Sequence, residues 1–339
     1  MTRRLELGRD QILAFRRRAG ALDERLPRDA QALRRAAWAG LSDSMPRGAL
    51  LSIHARVAGA APDAWADRSL VQLWGPRFSV YVVAAADLPV FSLGRLPDDA
   101  AGLRRAEGTA DRLEAFLAGR RMPFGQAGEA MGVHPNSLRY AAPTGRVLIR
   151  WDGARQATVW TVPRPAMDPG EARLELLRRY LHVFGPGTPA GFCEWAGIRP
   201  AQARTAFEAL VAELEQVRTP VGDAWILARD EPGFRGRSGQ PAPVRLLPSG
   251  DAHYLLWGAD RDLLVPDAAK RAQLWTPRVW PGALLLDGEV AGTWRRAEAL
   301  VAVQAWRALT AAERDAVEAE AASLPLPGLD RPISVAWTG

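Results

Sequence analysis

The sequence is poor in the residues that make covalent or metal chemistry easy. It has one cysteine, Cys193, and four histidines, His54, His134, His182 and His253. One cysteine excludes an intrachain disulfide and any thiolate metal cluster, and the scattered histidines lack ligand spacing, so neither a metal nor a cofactor is expected. No glycine-rich loop of the Walker or dinucleotide kind is present. Lys270 is the one lysine, so an amine nucleophile is scarce and lies in an ordinary DAAKRAQLW stretch. No apolar run reaches the ~20 residues of a membrane span, and the amino terminus, MTRRLELGRDQILAF, lacks a signal-like apolar core. The expectation is a cytoplasmic, nucleoid-associated protein with no membrane contact.

What is abundant is arginine. Lys+Arg total 44 against Asp+Glu 38, a formal net charge of +6, so the surface should attract polyanions. Arginine's planar fork suits phosphates and base edges, although GC-rich coding also converts lysine to arginine. The hydrophobic share of 48% is enough for more than one core across 339 residues.

Three segments share one order: a helix, a short second helix, a third helix, then two strands about a tight turn. That is the grammar of the winged helix, a helix-turn-helix variant. The legible copy starts at Asp168-Pro169 with Leu174, Leu177, Leu181 and Phe184 on one face. Thr188-Pro189 opens its second helix. Its third, from Pro200, places Ala203, Phe207, Leu210, Leu214 and Val217 on one stripe, before a turn at Gly222-Asp223. A second copy spans about 110 to 165, with the short third helix HPNSLRY and the hairpin RVLIRWDGARQATVWTV turning at Asp152-Gly153. A third spans about 9 to 95: Ile12, Phe15 and Ala19 on helix one, DAQALRRAAWAGL, PRGALLSIHARV, and strands LVQLWGPRFSVYVV about Gly75-Pro76. The linker EPGFRGRSGQPAP precedes short strands and a helix expected from Ala297 to about Ala322. The expectation is an α+β chain of three tandem winged helices (1–105, 106–166 and 167–232) with a mixed, mostly β part over 244–339.

Five arginines, Arg47, Arg139, Arg146, Arg150 and Arg155, are candidates for phosphate contacts that position a duplex; for the hairpin arginines the alternative is a solvated wing face. Between the second and third helices of the first copy, SDS interrupts the pattern at Ser42, Asp43 and Ser44. Such a segment could be a turn and helix cap.

The segment GLSDSMPRGALLSIHARV resembles the part of AlkZ-like DNA glycosylases in which GLQ-x-Q leads into a helix closing on Ala-Arg. WGPRFSVYVVAAADL is similar to that family's hairpin, GPGTPAGFCEWAG to its third winged helix, and VRLLPSGD with LLLDGEVAGTWRR to its C-terminal part. The order and spacing cover about 10 to 296. The resemblance implies winged helices curved around double-stranded DNA and removal of N-alkylated or bulky-adduct bases. It places the family's two catalytic glutamines on Ser42 and Ser44, and its hairpin threonine and histidine on Ser79 and Tyr81. Asp43 adds a carboxylate to that pattern.

Hydrolysis of an N-glycosidic bond passes through an oxocarbenium-like sugar, so a site gains rate by placing a water near C1′ and negative or dipolar groups near the developing cation. Asp43 is the candidate for charge stabilisation or as the base, with Ser42 and Ser44 orienting; His54 and Arg77 are supporting candidates. The expectation is a monofunctional, monomeric hydrolase that leaves an abasic site, against a non-catalytic winged-helix DNA-binding protein or regulator.

Overall fold

The computed structural model describes residues 4–29, 31–153, 155–236 and 239–338. Among them, no helix is long and apolar enough to cross a membrane. The chain is a mixed α+β structure built on three sheets.

One sheet has six strands, in the order Leu41–Ser42, Val80–Ala84, Leu70–Trp74, Val147–Arg150, Thr158–Thr161 and Met122–Pro123. The first two expected hairpins therefore share a sheet, joined where Gln72 faces Ile149. The boundary expected at 105/106 cuts a single helix, Ala100–Leu117. Asp99 caps it by accepting the Gly102 N–H, and Ala106, Ala110, Leu113 and Leu117 form its buried stripe. The one large apolar side chain of its first turn, Leu103, is exposed and off the buried stripe, which hides the helix start in the sequence. The short third helix of that segment is a 3₁₀ run, Pro135–Thr144.

The segment from Asp168 holds helices Pro169–Phe184, Pro189–Ala196 and Pro200–Ala209, the first two capped by the side chains of Asp168 and Thr188. Its hairpin, Leu214–Thr219 with Gly222–Leu227, closes at Thr219 and Gly222, so the turn is Pro220-Val221, two residues before the expected Gly222-Asp223. Leu214 and Val217, expected on the helical stripe, lie on a strand, paired with Leu227 and Ala224 across the hairpin.

The N-terminal helix Arg9–Ala19 does not join the first hairpin. Leu5–Glu6 pairs in parallel with Leu214–Thr219, and Ile12 and Phe15 pack with Val217, Ile226 and Phe234, Phe15 stacking on Phe234 at 3.8 Å. Such a long-range pairing leaves no local signal.

A five-stranded sheet runs Val244–Leu247, Gly282–Leu286, Glu289–Ala297, Leu300–Ala305 and Ser334–Trp337. Asp287 and Gly288 both take positive φ, the tight hairpin turn that Asp-Gly favours. The helix expected from Ala297 begins only at Ala311, where Thr310 and Glu313 form a capping box. Before it, LVAVQA is a strand, its Val301 and Val303 buried against Val317 and Ala321.

Candidate active site

Strand Leu41–Ser42 pairs with Val82 and Tyr81, then breaks into Asp43 and Ser44 ahead of helix Gly48–Arg56. The carboxylate of Asp43 closes this break from within. Its Oδ1 accepts the Ala49 N–H at 2.9 Å, satisfying one of the helix's orphan donors, and its Oδ2 accepts Gln72 Nε2 at 2.6 Å. The same Gln72 amide donates to the Trp151 carbonyl and accepts the Trp151 N–H at 2.6 Å. One buried glutamine thus locks the loop to both hairpins. Burial pushes the Asp43 carboxyl up to about 6, against its hydrogen bonds to Ala49 and Gln72 and the nearby charges of Arg47 and Arg150. Gly48 has to be a glycine, since an added Cβ would sit 2.9 Å from the Ser42 carbonyl oxygen.

With Asp43 turned inward, Ser42 and Ser44 face the other way, into a cavity of about 350 Å³. Ser79 and Tyr81 line it from the first hairpin, with Arg77 at the turn, and Trp257 and Trp280 from the C-terminal part. Arg77 holds a left-handed conformation, φ 56°, and its guanidinium lies 4.8 Å from the Trp257 ring. Strain of this kind gathers at sites where the surrounding structure fixes a side chain for use. Burial raises the Tyr81 hydroxyl well above its ordinary value, so it is neutral at physiological pH.

The C-terminal wall is held by a buried ion pair. Arg56, at the end of the Gly48–Arg56 helix, grips both oxygens of Asp251 at 2.7 Å, and Ser52 donates to the same carboxylate at 2.6 Å. Gly250 and Ser249 then line the cavity, and the Tyr254 hydroxyl accepts the Gly250 N–H, with its single proton within reach of both the Pro248 and Pro281 carbonyls. Charge loss from Asp251 would strand a buried guanidinium.

The structure therefore gathers Ser42, Ser44, Arg77, Ser79 and Tyr81, and it separates two of the expected partners from them. Asp43, 3% exposed with both oxygens bonded, is not placed to meet a water in the cavity. His54 points to the C-terminal helix, where its Nε2 lies 3.1 Å from Ser323 Oγ and 3.3 Å from Arg25; burial and Arg25 hold its pKa down to about 4, leaving it neutral. Among the basic candidates, Arg146 is ion-paired with Asp111 and Glu114 on helix Ala100–Leu117. Arg47 and Arg150 stand over Trp65 at 5.0 and 3.9 Å, beside the Ser-Asp-Ser loop. Arg155 is exposed on the second hairpin loop, and Arg139 lies beside Ser44 on a neighbouring cleft. Among the described residues, Arg47, Arg77 and Arg139 have no carboxylate within ion-pair distance.

Sequence reasoning missed Gln72, Trp257, Trp280 and the Ser249-Gly250 turn. A polar residue in the middle of the apolar strand LVQLW is a signal for Gln72. No local pattern marks the tryptophans, because their role comes from a distant part of the chain. Among the described residues, no group of three or more His, Cys, Asp or Glu side chains could hold a metal ion.

Residues 35–325 match the family model of the AlkZ-like DNA glycosylases. The chain belongs to the AlkZ-like DNA glycosylase family. Its matched span includes every residue named above as lining the cavity. The fold is similar to the solved Streptomyces sahachiroi DNA glycosylase AlkZ, with a TM-score of 0.79 at 17% sequence identity, over 98% of this chain and 100% of that one. No curated protein matches the chain in sequence. Within this AlkZ-like frame, and among the described residues, the polar lining of the cavity is made of serines, Tyr81, Arg77 and Arg278, with no carboxylate among them.

Proposed function

We propose that this AlkZ-like chain is a monofunctional glycosylase that hydrolyses the N-glycosidic bond of N-alkylated or bulky-adduct purines in duplex DNA. The observation that carries this reading is the cavity itself: hydroxyls of Ser42, Ser44 and Ser79 opposite the indoles of Trp257 and Trp280, with Arg77 beside them. A base inside a duplex is out of reach, so it must swing out into such a pocket. Aromatic walls suit a flat base, and their faces favour a cationic one.

An N-alkylated purine is already positive. When its bond to C1′ breaks, the bonding pair goes to the purine nitrogen, and the base leaves neutral without being protonated. The sugar carries the charge as an oxocarbenium ion until a water oxygen bonds to C1′ and sheds a proton to solvent. Ser42 and Ser44 hydroxyls hold that water, and Ser79 helps to orient the sugar. Asp43 is a positioning residue: its carboxylate fixes the loop from behind. The three helix-and-hairpin segments act as winged helices along the duplex, as a monomer, with Arg47, Arg77, Arg139 and Arg150 meeting phosphates.

Duplexes carrying 7-methylguanine, 3-methyladenine, hypoxanthine or uracil, treated with protein and then alkali, test the reading. Cleavage at the methylated purines, and little at hypoxanthine or uracil, is the expected result. The second reading, a DNA-binding protein without excision, is favoured by the engaged carboxylate of Asp43. Binding of every duplex with release from none would establish it.

A further inference from the structure

A second cleft of about 350 Å³ lies against the first, and the two share Ser44, Arg77 and Ser79 as a common ridge. It opens between the two hairpins of the six-stranded sheet. Phe78, Phe124 and Trp151 are among its walls, all partly exposed, and Arg139 reaches it from the 3₁₀ run. Its aromatic groups are held in place: Phe124 is edge-on to Trp74 with ring centres 5.9 Å apart, and Phe78 is edge-on to Tyr140 at 5.7 Å. Phe78, like Arg77, adopts a left-handed conformation, φ 57°. Two such residues in succession present Phe78 to this cleft and Arg77 to the ridge that the two clefts share.

Arg139 supplies a polar element. Its guanidinium stands 6.0 Å from the Trp74 ring, its Nε is buried without a hydrogen-bond partner, and no described carboxylate pairs with it. A buried donor left unmatched costs stability, and here it sits on a guanidinium held beside the cleft with no protein acceptor for that nitrogen among the described residues. Flat aromatic walls with an arginine fork match a nucleobase, which brings a π-face and ring-nitrogen and carbonyl acceptors.

We propose that this cleft receives a second nucleobase, displaced from the duplex next to the one that enters the serine-lined cavity. The proposal rests on the reading that the first cavity takes a flipped base. A duplex opened at one position offers two sources for the second base: the orphaned partner on the opposite strand, or the flanking nucleotide on the same strand. Seating it would hold the duplex open during excision.

The test measures binding of the full-length protein to a duplex with a tetrahydrofuran abasic analogue opposite adenine. Two further duplexes carry an additional tetrahydrofuran, either at the opposite position or at the flanking position. Phe78→Ala, and Phe124→Leu as a variant that preserves packing bulk, should weaken binding to the first duplex roughly tenfold, the scale of one base stacking on one aromatic ring. On the duplex that lacks the occupant base, the variants and the wild type should bind alike, and which duplex behaves so names the strand. Equal weakening on all three duplexes, or on none, overturns the cleft's assignment. A wild-type protein that prefers no tetrahydrofuran duplex over an intact one overturns the excision reading as well, and so distinguishes the two failures.

Discussion

Replacing Asp43 with asparagine separates a carboxylate that positions from one that reacts. Asparagine copies the carboxyl in shape, and its oxygen can accept the Ala49 N–H, but its NH2 then faces the Gln72 Nε2 donor, a mismatch that costs stability equally at every pH. What varies with pH is the charge. The folded carboxyl titrates at about 6 instead of its ordinary 3.8, so the native state binds the proton more tightly than the unfolded chain does. The resulting penalty is absent below the unfolded value, grows as pH rises through that window, and is complete above about 6. It is on the order of 3 kcal/mol at pH 8 and about half that at pH 5. The stability of Asp43→Asn relative to the wild type is therefore expected to rise in urea unfolding from pH 5 to pH 8, with the Gln72 mismatch a constant offset. Single-turnover excision should slow by no more than roughly tenfold, because loss of a general base typically costs ~10² to 10⁴. A stability difference that stays constant between pH 5 and pH 8 would refute the burial argument. A rate loss above ~10² with intact DNA binding would return Asp43 to the chemistry.

DNA affinity should fall steeply between ~50 and 200 mM salt as arginine-phosphate contacts release counterions. Arg47→Ala and Arg150→Ala should lessen both affinity and salt slope in fluorescence-anisotropy titrations, whereas Arg146→Ala, already ion-paired, should leave both unchanged. Asp251→Asn should cost about 3 to 5 kcal/mol in urea unfolding by leaving Arg56 buried without its counter-charge; a cost under ~1 kcal/mol would mean that water relieves the pair. His54 and His253, held down to about 4 and about 3, stay neutral in the fold while unfolded histidines protonate below about 6.5. Both contribute stability that is lost as pH falls from that value, and His54→Gln should flatten that part of the stability-pH curve.

Local physics wrote much of this protein into its sequence. Proline at the first helical turn after a capping Asp168 or Thr188 marked the helices of the third segment, because those groups answer donors within four residues. Alternation in RVLIR and ATVWT marked a hairpin, and the arginine excess pointed to a polyanion. Ser42 and Ser44 were reachable through resemblance. Their setting was not, because it depends on contacts between residues far apart in the chain. Gln72 spans 29 positions to Asp43 and 79 to Trp151, and Arg56 reaches 195 to Asp251. The inward turn of Asp43, the pairing that occupies Arg146, and the fused sheet under two expected wings all follow from such contacts. Sequence patterning chose the helices and strands; tertiary packing chose which polar groups were consumed inside and which were left facing the cavity, since a buried donor or charge must find its partner wherever the fold brings one.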